Sequence, residues 1–206
     1  MRRVLTVAAL LAAAVCVQFP WRTGNQAAGI DFYQFWAGGQ LARQVDNLYA
    51  KETRQERYQP FVQEAYNREG SNNLLVAARL RPEFEFFSTP FLYTAFALLP
   101  DRYDRALLIY RVLSLAALIG GVLLFARAAG LAWAGAGFVL AYVLSLFEAV
   151  KTEARVVNVN FVQLFAVGLA AWLLVGKERW RWIAGAAVLG IVTAFKPNLA
   201  PVIPLL

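Results

Sequence analysis

The sequence predicts an all-α integral membrane protein, a multispanning helical bundle with one large extracytoplasmic first loop. Three observations predict it. Of 206 residues, 60% are apolar and only 16% charged, a balance too hydrophobic for an ordinary soluble domain. The apolar residues gather in long runs divided by polar stretches. One of those stretches, residues 21–81 within a first loop of 20–103, mixes acids and bases in nearly equal number, as a folded loop on a membrane surface would and a disordered polyelectrolyte would not.

The first run, residues 4–19, follows Arg2 and Arg3. It is short for a hydrocarbon core of roughly 30 Å, but flanking Arg and Trp residues can sit at the interfaces. A signal peptide would show the same charge pattern; Ala12 and Ala14 offer a poor cleavage site, and the multispanning context favours a retained anchor. Within the loop, residues 30–45 have a rough helical spacing that puts Phe32, Phe35 and Trp36 on one face, which reads as an interfacial helix lying flat on the bilayer. Residues 83–100 are apolar but interrupted by Pro90 and closed by Pro100. Counting them as a span would place Arg127 and the cluster Lys177, Arg179 and Arg181 outside, against the positive-inside rule. They are therefore expected to form a bent juxtamembrane or re-entrant helix.

Four further spans follow. Residues 105–126 return to the cytoplasm, with Arg111 near enough to the outer end to snorkel. Residues 131–147 go out, the polar loop "EAVKTEARVVNVN" stays outside, 156–175 return and 181–195 go out again. Residues 197–206 read as the start of a further segment. The whole chain is expected to form one transmembrane domain in the cell inner or plasma membrane, its basic turns cytoplasmic and its loop periplasmic.

The residue inventory limits the chemistry. There is no histidine and one cysteine, Cys16, so a Ser-His arrangement, a disulfide framework and a thiol-redox motif are all excluded. Catalysis would rest on carboxylates, cations, amides and hydroxyls. The predicted topology gathers Asp31, Glu148, Lys151, Glu153, Arg155, Asn158, Asn160, Gln163 and Lys196 at or just below the outer surface. Polar groups at membrane depth are costly, so the three amides should face protein or water. Each residue also has a structural explanation: helix-to-helix bonding for the amides, interfacial anchoring for Lys196, and the helix dipole for Asp31 in a first turn. Their company is what points to a site.

Five blocks, "DFYQFWAGGQLARQ", "DNLYA", "STPFLYTAFALLP", "NVNFVQLFAVGLAAWLL" and "AGAAVLGIVTAFKPNLAPVIPLL", resemble in order successive blocks of glycosyltransferase family 87. That family, within the C-type (GT-C) superfamily, contains polyprenyl-phosphate-mannose-dependent mannosyltransferases and arabinofuranosyltransferases. Its members are longer, so the chain resembles their N-terminal portion. The resemblance implies a GT-C-like bundle whose first loop carries two juxtamembrane helices. It also implies transfer of mannose or a similar sugar from a polyprenyl-phosphate donor to a hydroxyl of a lipid or glycan acceptor. The implied partners are that donor, that acceptor and the bilayer, with no nucleic acid.

The aspartate of the family's D-F-x-x-[FY]-[WY] block falls on Asp31, which the resemblance makes the general base. It makes Lys196, from the K-P-[TN] block, the first choice to hold the donor phosphate and Arg155 a weaker one, with Asn158, Asn160 and Gln163 completing the binding group. No cofactor is implied, no metal ligands are assigned, and a divalent ion is left open. One departure stands out. Where the family shows G-Q-x-N, this chain has Val157, Asn158, Val159 and Asn160, which fits a changed substrate or an inactive homologue. The rival reading is a non-catalytic transporter of lipid-linked glycans or a membrane assembly subunit, which would use the same amides and cations without needing Asp31.

Overall fold

The computed structural model describes residues 2–82 and 88–195, whose regular structure is helical, with no strand among them. The helices are α1 (Arg2–Cys16), α2 (Gln18–Asn25), α3 (Ile30–Ala42), α4 (Tyr58–Glu69, entered through a π-helical turn at Thr53–Arg57), α5 (Asn72–Leu80) and α6 (Pro90–Phe96). They continue as α7 (Tyr103–Ala128), α8 (Trp133–Leu146), α9 (Glu148–Val156), α10 (Asn160–Leu174) and α11 (Arg179–Phe195).

Two stretches, Arg3–Asn25 and Tyr103–Ala128, are long and apolar enough to cross a membrane, and α8 with α9 would make a third if that pair, bent by 63°, counts as one span. The molecule is a helical membrane protein. Its surface agrees: Val4, Leu11, Leu113, Phe138 and Ile183 are among many large apolar side chains more than half exposed, which water would not tolerate over so much contiguous surface.

The first span is longer than residues 4–19. Pro20 reads as a terminator, but it sits in the first turn of α2, where a missing N–H costs nothing. The bonds Val17 N to Ala13 O (3.1 Å) and Trp21 N to Val17 O (3.3 Å) carry the helix across the break. α7 matches the run at 105–126 and, at 26 residues, spans about 39 Å. α8, α10 and α11 fall inside or within two residues of the expected runs 131–147, 156–175 and 181–195. Residues 148–156, expected as a polar loop, form helix α9 instead, with Glu148 in its first turn and Arg155 in its last, each complementing the helix dipole.

Small residues set the helix crossings, as is usual where apolar surface alone gives helices no reason to associate in lipid. A Cβ on Gly168 would lie 2.7 Å from the Gly121 carbonyl oxygen, so α7 and α10 touch backbone to backbone, and one on Gly137 would lie 3.0 Å from the Ala9 Cβ where α8 meets α1. These contacts fix directions. Tyr110 meets Asn158 and Gly121 meets Gly168, so α7 and α10 run parallel; Gly185 meets Leu174, so α11 returns antiparallel.

The loop closes on the end of the bundle from which it left. Tyr103 Oη donates to the carbonyls of Ala28 (2.6 Å) and Gly29 (3.1 Å), and Arg111 donates to the Ala27 carbonyl. Arg111 therefore binds the start of the loop and does not snorkel outward. Since α7 begins where α2 ends, an even number of crossings separates them. α6 has seven residues, about 10 Å, too short to cross; residues 83–87 lie outside the described set.

α3 departs from the interfacial helix expected over 30–45. It is buried on nearly every side, from Phe32 to Leu41, at the centre of a loop domain built from α3 to α6 and the start of α7. Phe32 stacks on Tyr110 at 5.3 Å between centroids, and Trp36 meets Tyr103 edge-on at 5.1 Å while donating to the Pro100 carbonyl at 3.1 Å. Four large aromatics on a short helix mean an interior here, not a bilayer surface. At Gly39 a Cβ would stand 2.6 Å from the backbone of Phe96 and Ala97, so α6 lies directly against α3. The carboxylate of Glu69 accepts the Tyr103 N–H at 2.7 and 2.8 Å, capping α7 and docking the loop domain on the bundle.

Candidate functional site

Asp31 lies where three turns converge. Gly29, with φ 71°, lets the chain reverse from α2 into α3 in a left-handed backbone that glycine adopts without strain. This turn places Asp31 in the first turn of α3 with a side chain 17% exposed. From α5, which ends before Pro82, the cap residue Arg81 reaches across, its Nη2 donating to Asp31 Oδ1 at 2.9 Å. From the α9–α10 turn, Asn158 Nδ2 donates to Asp31 Oδ2 at 2.8 Å.

The α9–α10 turn is strained. Val157 has φ 58° and ψ 54°, the one non-glycine residue with positive φ among the described residues, and a β-branched side chain is especially poor in that region. Its left-handed backbone aims Asn158 at Asp31. The Asn158 side chain is then fixed from behind, its Oδ1 accepting from the Val159 N–H at 2.7 Å, while Tyr110 Oη donates to the Asn158 carbonyl at 3.2 Å.

The other expected site residues divide. Asn160 turns away, donating to Glu153 Oε2 at 2.8 Å. Gln163 is buried and lines a neighbouring cavity. Arg155 is exposed on the last turn of α9, and Glu148 and Lys151 pair with each other at 3.1 Å on the same helix. Lys196 lies outside the described residues. Arg81 was not anticipated. Pro82 foretells the end of a helix at that point, but nothing local in the sequence foretells an ion pair 50 residues distant.

Beside the pair lies an apolar cleft of about 330 Å³ between α6, α7, α10 and α11, walled by Phe96, Tyr110, Val159, Gln163, Val188 and Phe195 among others. Tyr110 and Val159 join the two features, since one bonds Asn158 and the other follows it in sequence. At the far side Thr89 Oγ1 donates to the carbonyls of Ala194 (2.6 Å) and Phe195 (3.1 Å), tying the start of α6 to the end of α11.

Chemically, each carboxylate oxygen of Asp31 keeps lone-pair capacity for a second donor beyond Arg81 or Asn158. The Arg81 side chain is 43% exposed, and an ion pair so open to solvent contributes no more than about 1 kcal/mol, so the guanidinium can exchange partners. A carboxylate, a guanidinium, an amide and an apolar cleft thus adjoin. Comparison with family models, curated proteins and solved structures gave no match.

Deeper in the loop domain, Tyr33 and Tyr58 bond hydroxyl to hydroxyl. Burial pushes the Tyr33 phenol up to about 12 and raises that of Tyr58 as well, from an ordinary value near 10. Between those values the unfolded chain releases protons that the folded chain retains, so this contribution to stability is intact below pH 10 and lost as pH climbs toward 12. Thermal unfolding in detergent should show the melting temperature falling over that range, with a smaller fall in Tyr58→Phe. Identical slopes for the two proteins would contradict the assignment.

Proposed function

We propose that the chain is the N-terminal part of a membrane glycosyltransferase of the family 87 type, moving a sugar from a polyprenyl-phosphate donor to an acceptor hydroxyl at the extracytoplasmic face. The observation that carries this reading is Asp31 held between Arg81 and Asn158, whose neighbours Tyr110 and Val159 line an apolar cleft. In the reaction an acceptor oxygen forms a bond to the anomeric carbon as the bond from that carbon to the phosphate oxygen breaks. The electron pair leaves with polyprenyl phosphate and the hydroxyl proton passes to Asp31. The leaving group is already a stabilised anion, so no general acid is needed, which suits a chain without histidine.

Arg81 joins Lys196 as a candidate for the donor phosphate, because a guanidinium engages phosphate bidentately. The first isoprene units would occupy the cleft walled by Phe96, Val159 and Phe195. The left-handed Val157 also accounts for the family's preference at that position: glycine adopts such a backbone without strain, and here valine holds the same turn.

The proposed membrane orientation rests on the two ends of the bundle. Arg3, Arg127, Lys177, Arg179 and Arg181 share one end and the loop domain occupies the other, so the positive-inside rule puts the loop outside. In a Cys16→Ala background, a cysteine at residue 51 is expected to react with an impermeant maleimide on intact cells and one at residue 178 only after permeabilisation. The reverse pattern would put Asp31 on the cytoplasmic side.

The functional test incubates purified full-length protein with polyprenyl-phosphate mannose and a hydroxyl acceptor and measures release of free polyprenyl phosphate. Stoichiometric binding without release would assign the chain to the carrier or assembly class.

A further inference from the structure

We propose that the basic end of the bundle carries a binding site for the phosphate of an anionic phospholipid, separate from the Asp31 site and independent of sugar transfer. There the first turn of α1, the end of α7 and the turn into α8 enclose an open cleft of about 670 Å³, lined by Arg3, Thr6, Val7, Arg127, Trp133 and neighbouring alanines. No lining residue is acidic. Two guanidinium groups facing one cleft repel each other unless an anion lies between them, and a low-dielectric wall strengthens the attraction for that anion.

The contrast with the adjacent turn sharpens the point. Between α10 and α11, Arg181 already has an acid: it pairs with Glu178 at 3.6 Å, donates to the Trp172 carbonyl at 2.8 Å and lies 4.4 Å over the Trp172 ring, although its buried Nε has no hydrogen-bond partner. Arg127 is held differently. It gives one N–H to the Leu131 carbonyl and rests 5.1 Å over Trp133, which fixes the guanidinium plane while engaging one of its five donors.

The surroundings select a lipid over a free phosphate. The cleft continues into exposed apolar flanks of α1 and α8, where Val4 is 70%, Val7 57% and Phe138 55% exposed. Trp133, 52% exposed, sits where an indole prefers to lie, at the depth of the headgroups. A headgroup phosphate between Arg3 and Arg127 would therefore have exposed apolar side chains of α1 and α8 close by for its acyl chains.

The test uses native mass spectrometry of full-length protein released from nanodiscs of equal phosphatidylglycerol and phosphatidylcholine. The wild type should retain phosphatidylglycerol selectively. The double variant Arg3→Gln/Arg127→Gln should weaken that retention about 10–30-fold, on the scale of two basic residues at an anionic surface, and Arg179→Gln at the same end should change it less than about threefold. Equal losses in the double variant and Arg179→Gln would mean diffuse surface charge and overturn the site, as would an unchanged double variant. Soluble glycerol phosphate competing at millimolar concentration would reassign the cleft to a free phosphate and overturn the lipid. Should loss of Arg127 unfold the α7–α8 turn, Arg3→Gln alone decides: a loss of about 3–5-fold supports the proposal and none refutes it.

Discussion

Replacing Asp31 with Asn is expected to lower sugar transfer by roughly 10²–10⁴-fold, the range typical of losing a general base, while leaving the protein folded. Asparagine keeps the size of the side chain and gives up only the charge–dipole term at the helix start, about 0.3–1 kcal/mol. Its carbonyl oxygen can still accept from either Arg81 or Asn158, so the junction of α3, α5 and the α9–α10 turn should survive with one contact weakened. What disappears is the oxygen that takes the acceptor proton. The loss should fall on kcat, because the donor phosphate is met by cations and the isoprene units by the apolar cleft. Arg81→Gln should behave in the opposite way, raising the donor KM more than it lowers kcat, since a phosphate contact is made in ground and transition states alike. Full activity in Asp31→Asn would remove the proposed mechanism. Release of polyprenyl phosphate by neither protein would favour an inactive homologue.

The strain at Val157 predicts the second large effect, and it is a comparison. Val157 and Val159 are both buried, at 3% and 5% exposure, so changing either to glycine loses a similar packing contribution of about 1.5–3 kcal/mol. Only Val157 has a left-handed backbone; Val159 has φ −85°. Relief of a strained non-glycine residue returns about 1–3 kcal/mol. Val157→Gly should therefore be close to neutral and Val159→Gly clearly destabilising, a difference measurable by denaturant unfolding in micelles. Equal costs at the two positions would mean that the α9–α10 turn relaxes without help from residue 157.

Much of the bundle was legible because long apolar runs leave few alternatives: α7 matched its run, and the expected runs 131–147, 156–175 and 181–195 each hold a helix. The failures have specific causes. Periodicity put Phe32 and Trp36 on one face of α3, but α4, α5 and α6 cover the other faces, and no local pattern reveals that a helix will be surrounded. α9 was missed because its charges outweigh its apolar residues; Glu148 at its start and Arg155 at its end were the readable signal. For the site, Asp31 and Asn158 stood out as polar residues in apolar company, and the structure joins them. Arg81 did not stand out, since an arginine in a polar loop is ordinary and its meaning lies in a partner brought near by the fold.

The pair Asp31–Asn158 also bears on biosynthesis. Its members are separated by 127 positions, which at about 5–20 residues per second takes a ribosome roughly 6–25 s to traverse. Tyr103 and Tyr110, which complete the aromatic interior around α3, are made only in the later part of that interval, and the α9–α10 turn comes after them. The carboxylate has Arg81 as its nascent partner, drawn from the same loop and available within seconds. Of the two contacts to Asp31, the one with Arg81 can therefore form first, and the later helices complete the junction.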